Sequence, residues 1–115
     1  MKILVTGANS MIGRAIVEAI PTSDNVSLVF HEECDLLDLN QVYTRFTITR
    51  PDMVIHAAGY NGGILWNKLY PATIFYHTVQ MGLNVLEMSH RFKVKKVTSI
   101  ISSCSYPDES KLLQD

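Results

Sequence analysis

Three short clusters in this 115-residue chain hold the residue types that do chemistry, and each closes an apolar run. They are Gly7-Ala8-Asn9-Ser10-Met11-Ile12-Gly13, Ala57-Ala58-Gly59 and Ser102-Ser103-Cys104-Ser105-Tyr106-Pro107. The first is the most informative. A strand that ends in a glycine turn and runs straight into an amphipathic helix brings an anion to the helix N-terminus. There the unpaired N–H groups and the dipole favour phosphate. Gly7 suits the tight turn, and Gly13 suits close packing of the helix on the sheet. The middle glycine of a G-x-x-G-x-x-G spacing is absent, because position 10 is Ser. Taken alone, the pattern therefore also fits an ordinary strand-to-helix turn. It lacks the Gly-Lys-Ser/Thr ending of a P-loop, which sets a nucleotidase aside.

The elements that must position these clusters alternate. Lys2–Thr6 reads as a strand, followed by a helix over Met11–Ile20 with Ile12, Ala15, Ile16, Ala19 and Ile20 on its apolar stripe and Pro21 at its end. Val26–Phe30 is apolar apart from Ser27, as expected of a strand covered on both faces. Asp38 and Gln41 have the spacing of an N-cap and its partner, opening a helix with Leu39, Val42, Tyr43 and Phe46 on one face, closed by Pro51. Met53–Ala58 and Val97–Ile101 complete four strands. Such alternation implies right-handed crossovers and an α/β fold: a Rossmann-like, doubly wound parallel sheet, truncated, with strand order 3-2-1-4. Ligands belong at the carboxyl ends of the strands, by the topological switch point expected between the first and fourth. All three clusters fall at strand ends.

Gly59–Tyr70 reads as a long, ligand-facing loop rich in glycine and aromatic residues. Pro71 then opens a helix to about Phe92. That helix has two apolar stripes, Ile74, Met81, Val85, Met88, Phe92 and Phe75, Val79, Leu83, Leu86. Their centres lie about 145° apart. One can cover the sheet; the other needs a second partner, and an intermolecular contact is favoured.

Composition bounds the rest. The length suits one domain, a dinucleotide-binding unit over 1–115. A net charge of −1 argues against an extended nucleic-acid or membrane-surface footprint. The cations Arg91, Lys93, Lys95 and Lys96 read as a solvated turn at a helix C-terminus. Cys34 and Cys104 are too few for a disulfide framework and lack the pairing of a zinc site, so no metal is expected. No secretory signal or membrane-length apolar run is present, and a reducing cytoplasm is the expected location.

Ala57-Ala58-Gly59 with Gly62-Gly63-Ile64, Asn67 and Pro71, then Ser102-Ser103-Cys104-x-Tyr106-Pro107, carry a family resemblance. Together they resemble the extended short-chain dehydrogenase/reductases (NAD-dependent epimerase/dehydratases), and within them the GDP-L-fucose synthase family. The resemblance implies epimerisation and reduction of a GDP-keto-sugar, with NADP as cofactor and NAD as the alternative. It also implies a homodimer through the helix Pro71–Phe92. By the same resemblance the cofactor is bordered by Gly7, Asn9, Ser10, Met11, Ile12, Gly13, His31, Asp35, Leu36, Ala57, Ala58 and Gly59. Ser102 corresponds to the serine that hydrogen-bonds the keto oxygen, where a hydroxyl stabilises developing negative charge. Cys104 corresponds to an acid or base in epimerisation, a role its thiol suits with an ordinary pKa of about 8.5.

Three departures from the family pattern stand out. Ser10 replaces the middle glycine, where it either crowds a pyrophosphate or donates a hydroxyl to it. Asn9 and Phe30-His31-Glu32-Glu33 carry no Arg or Lys for a 2′-phosphate, and two carboxylates there oppose one. The family's Tyr-x-x-x-Lys pair is not reached by Asp115, and neither Tyr70 nor Tyr106 has a lysine four positions later. The expectation is therefore the N-terminal, cofactor-binding part of a longer enzyme, inactive by itself. The alternative is a dinucleotide-binding or interaction module without turnover.

Overall fold

A computed structural model describes residues 1–21, 25–29, 33–60 and 62–102. Four parallel strands, β1 (Lys2–Thr6), β2 (Asn25–Val29), β3 (Met53–His56) and β4 (Lys96–Ser99), form one sheet in the order β2-β1-β3-β4. Around it lie α1 (Met11–Ala19), α2 (Leu39–Thr49), the short α3 (Ile64–Leu69) and α4 (Pro71–Arg91).

The doubly wound parallel sheet is as expected; the strand order is not 3-2-1-4. The expected third strand pairs with β1 instead of lying beyond β2, and the described residues between β2 and α2 make turns. The Asp35 carboxylate accepts from the Leu37 N–H at 2.9 Å, and the Asp38 N–H reaches the Asp35 carbonyl at 3.1 Å. Amides spent on local turns cannot join a ladder. The chain then crosses to the far side of β1, so the order reverses between β1 and β3. The switch point lies there, with the Gly7 turn and Ala57-Ala58 side by side.

Strand β1 is buried on both faces because its apolar side chains alternate between two cores. Leu4 joins Val54, Val42, Phe46, Val85 and Met88, under α2 and α4. Ile3, Val5 and Ala8 pack with Val17, Ile20, Met53 and Ile55, under α1. Asp52 fastens the opposite end of the sheet: its carboxylate accepts from the Lys2 N–H at 2.9 Å and pairs with the Lys95 ammonium at 3.2 Å.

The helix ends follow sequence chemistry. Ser10 caps α1, its Oγ accepting from the Gly13 N–H at 3.0 Å. Asp38 caps α2, accepting from the Asn40 and Gln41 amides, while Gln41 Oε1 reaches past the cap to the Asp35 N–H at 2.9 Å. Arg50 leaves α2 in a left-handed conformation (φ 45°) just before Pro51. The expected loop over 59–70 contains α3, whose six residues are too few to show a period and none of which is buried. On α4 the stripe with Val85 and Met88 covers the sheet, whereas Phe75, Val79, Leu83 and Leu86 stay exposed.

Candidate functional site

The glycine turn is shaped by backbone against backbone. Gly7 has φ 68°, and a Cβ on it would lie 2.6 Å from the Ala58 nitrogen and 2.7 Å from the Ala57 carbonyl carbon. A Cβ on Gly13 would stand 2.0 Å from the Gly7 carbonyl oxygen. The first turn of α1 thus rests directly on the turn, which rests on the end of β3. Only glycine allows either approach. The arrangement aims the α1 N-terminus, with the Met11 and Ile12 amides that the helix cannot pair internally, over the switch point. A pyrophosphate fits such a cradle by charge and by shape.

Ser10 has a defined place in it. Its N–H donates to the Gly7 carbonyl at 3.0 Å, and its hydroxyl oxygen is committed to the Gly13 amide. The middle position is therefore a helix cap. The hydroxyl proton stays free in direction and can be turned toward an anion. Asn9 is exposed beside it. A cavity of about 300 Å³ flanks the turn on the β2 side, lined by Ala8, Asn9, Arg14, Val17, Glu18 and Leu28. Arg14 brings to this wall a guanidinium that the sequence pattern around positions 9 and 30–33 missed.

The other strand ends converge on the same edge. The Ala57 N–H donates to the Thr6 carbonyl at 3.1 Å and the Ile100 N–H to the His56 carbonyl at 3.0 Å, which carries the chain toward exposed Ser102. Thr6 Oγ1 and His56 Nδ1 share a buried hydrogen bond of 2.7 Å. Burial pushes the His56 pKa below its ordinary value, so its ring is neutral in the folded chain at neutral pH. Gly59 is open to solvent, and Tyr60 is held to α4 through its N–H and carbonyl, both bonded to Thr78 Oγ1 at 3.3 and 3.2 Å.

The structure thus brings Gly7, Asn9, Ser10, Met11, Ile12 and Gly13 into one turn beside Ala57, Ala58 and Gly59. Leu36 is buried in the cluster against which Ala58 packs, and Asp35 adjoins it. Ser102 follows β4. His31 and Cys104 lie outside the described residues. Thr6, His56 and Asn84 escaped the sequence reading: a lone polar residue in a strand or helix carries no pattern.

A parallel, doubly wound sheet that seats a helix N-terminus on a glycine turn at its switch point defines a Rossmann-type nucleotide-binding protein. Comparison with known proteins narrows the class. The chain belongs to the NAD dependent epimerase/dehydratase family, whose model matches residues 3–115. It is 34% identical to GDP-L-colitose synthase of Yersinia pseudotuberculosis over 110 residues, 95% of this chain and 36% of that protein. It is also 34% identical to GDP-L-fucose synthase of Escherichia coli (strain K12), over 98% of this chain and 38% of the relative. A GDP-mannoheptose C4 reductase from Campylobacter jejuni, solved with NADP bound, superposes with a TM-score of 0.87 at 28% identity, covering 96% of this chain and 35% of that one. The chain spans little more than a third of these relatives' lengths.

Proposed function

We propose that this chain forms the NADP-binding part of a nucleotide-sugar epimerase/reductase acting on a GDP-4-keto-6-deoxy sugar. The observation that carries the reading is the seat of α1: two glycines, each closed to any side chain, hold its N-terminus over the switch point. The names of the relatives, GDP-L-colitose and GDP-L-fucose synthases, support a GDP-sugar as substrate. When bound, the nicotinamide supplies or accepts a hydride. The chain's own part is to hold the dinucleotide and to offer Ser102 to the keto oxygen, with Cys104 as the acid or base.

Titration with NADPH and NADH tests this reading. Both are expected to bind, NADPH more tightly, through a charge-assisted hydrogen bond from Arg14 on the cavity wall to the 2′-phosphate. Arg14→Gln should weaken NADPH about tenfold, in keeping with loss of one charge-assisted hydrogen bond, and leave NADH nearly unchanged. Failure of both nucleotides to bind would refute the proposed function. An equal loss for both in the variant would remove Arg14 from the explanation.

The same reading makes the enzyme a homodimer through α4. Its outward stripe leaves Phe75 70% and Leu83 54% exposed in this chain. Apolar rows of this kind are normally covered. Leu83→Glu should therefore convert a dimer to a folded monomer in light scattering. An unchanged mass in that variant would disprove the interface.

A further inference from the structure

Asn84 is a buried amide in the middle of α4, 5% exposed, on the helix face that packs Val85 and Met88 into the core. An unpaired amide there would cost a few kcal/mol, so where its hydrogen bonds go is informative. Both of its donors are spent on one distant loop: Nδ2 reaches the Leu36 carbonyl at 2.8 Å and the Leu37 carbonyl at 3.1 Å. Its acceptor is taken by Gln80 Nε2 at 2.8 Å, one turn earlier, which fixes which edge of the amide faces the loop.

From α4, that loop's backbone is held through these two carbonyls. It follows β2 and makes no ladder bonds; Cys34 and Leu36 anchor its side chains in the core, and the Arg45 guanidinium pairs with Glu33 at 3.4 Å. Among the described residues its backbone is held by Gln41 at the Asp35 N–H, by the Asp35 turn and by Asn84. In a doubly wound sheet the segment beyond the second strand walls the adenosine end of a dinucleotide whose pyrophosphate lies at the first helix.

We infer that Asn84 is a positioning residue for the adenosine half of the cofactor site, acting through the carbonyls of Leu36 and Leu37. The inference rests on the proposed dinucleotide function. Asn84 touches no cofactor atom itself. It sets the height of the loop over the sheet, as outer partners of binding groups do elsewhere.

The test separates the two halves of the cofactor. ADP-ribose and reduced nicotinamide mononucleotide are titrated into the chain and its variants. Asn84→Ala should weaken ADP-ribose about tenfold, the scale of two lost neutral hydrogen bonds, and change the mononucleotide less than about twofold. Gln80→Ala frees the amide without opening the core and should weaken ADP-ribose about threefold, so the claim stays testable if Asn84→Ala does not fold. Ser89→Ala is the control: that buried hydroxyl bonds only the Val85 carbonyl of its own helix, so loss of core polarity alone would affect it equally. Unchanged ADP-ribose binding in both the Asn84 and Gln80 variants, or an equal loss in Ser89→Ala, overturns the inference. Failure of the unmodified chain to bind any of NADPH, NADH or ADP-ribose refutes the proposed function instead, and this inference with it.

Discussion

Replacing Gly13 by alanine should abolish dinucleotide binding. In a helix interior this change is ordinarily favourable by about 0.5–1 kcal/mol, because glycine loses more backbone entropy. Here the new methyl would stand 2.0 Å from the Gly7 carbonyl oxygen and 2.9 Å from its carbon. Neither is a flexible side chain that can swing aside. The turn cannot retreat either, since Gly7 already abuts Ala57 and Ala58. The helix must lift, and its N-terminus moves off the switch point. Overpacking commonly costs about 1–3 kcal/mol, and backbone on both sides puts this case at the upper end or beyond. At about 1.4 kcal/mol per factor of ten, NADPH affinity should fall about a hundredfold or more. Far-UV circular dichroism should show a folded chain throughout. Retained affinity in the variant would disprove the cradle.

The second large effect is on stability. Phe46 is 1% exposed, and its ring lies 5.7 Å from that of Phe92. Phe92 in turn meets Tyr43 at 5.6 Å and carries the Arg50 guanidinium 4.9 Å above its face. The seam between α2 and α4 is thus an aromatic cluster with Phe46 at its base. Phe46→Ala should lower unfolding free energy by about 3–5 kcal/mol, through lost transfer energy and the cavity left behind. That is a large part of the roughly 5–15 kcal/mol a domain possesses. Urea denaturation measures it. A loss below about 1 kcal/mol would mean that the seam closes over the gap.

What could be foreseen in the sequence was whatever repeats or punctuates. Gly7 and Gly13 marked the turn, Asp38 and Gln41 the start of α2, and the two stripes of α4 separated into a buried row and an exposed one as their spacing implies. The strand order was not foreseen, because the apolar run from Met53 marks a strand without saying which neighbour it takes, and in the fold it pairs with β1 and does not lie beyond β2. Six residues from Ile64 to Leu69 show no period, so α3 read as loop. Asn84 was hidden for a different reason. An asparagine between Leu83 and Val85 looks like a flaw in an apolar stripe until the fold brings Leu36 beneath it. Ser10 read as a departure from the glycine pattern, and only its bond to the Gly13 amide shows it as the cap of α1. At the Ser-Ser-Cys cluster, Ser102 is placed after β4.

The two faces of α4 have a thermodynamic consequence. Leu83, on the outward row, and Asn84, on the loop-facing side, are neighbours on one rigid rod. Whatever settles on the outer row and whatever settles against the Asp35–Leu37 loop therefore bias the position of the same helix. If occupancy of the nucleotide site strengthens association at the outer row by some factor, association must strengthen nucleotide binding by that same factor. Should the helix be indifferent to both, the factor is one and the two events are independent. Cofactor affinity measured across a range of protein concentrations reports that coupling free energy directly.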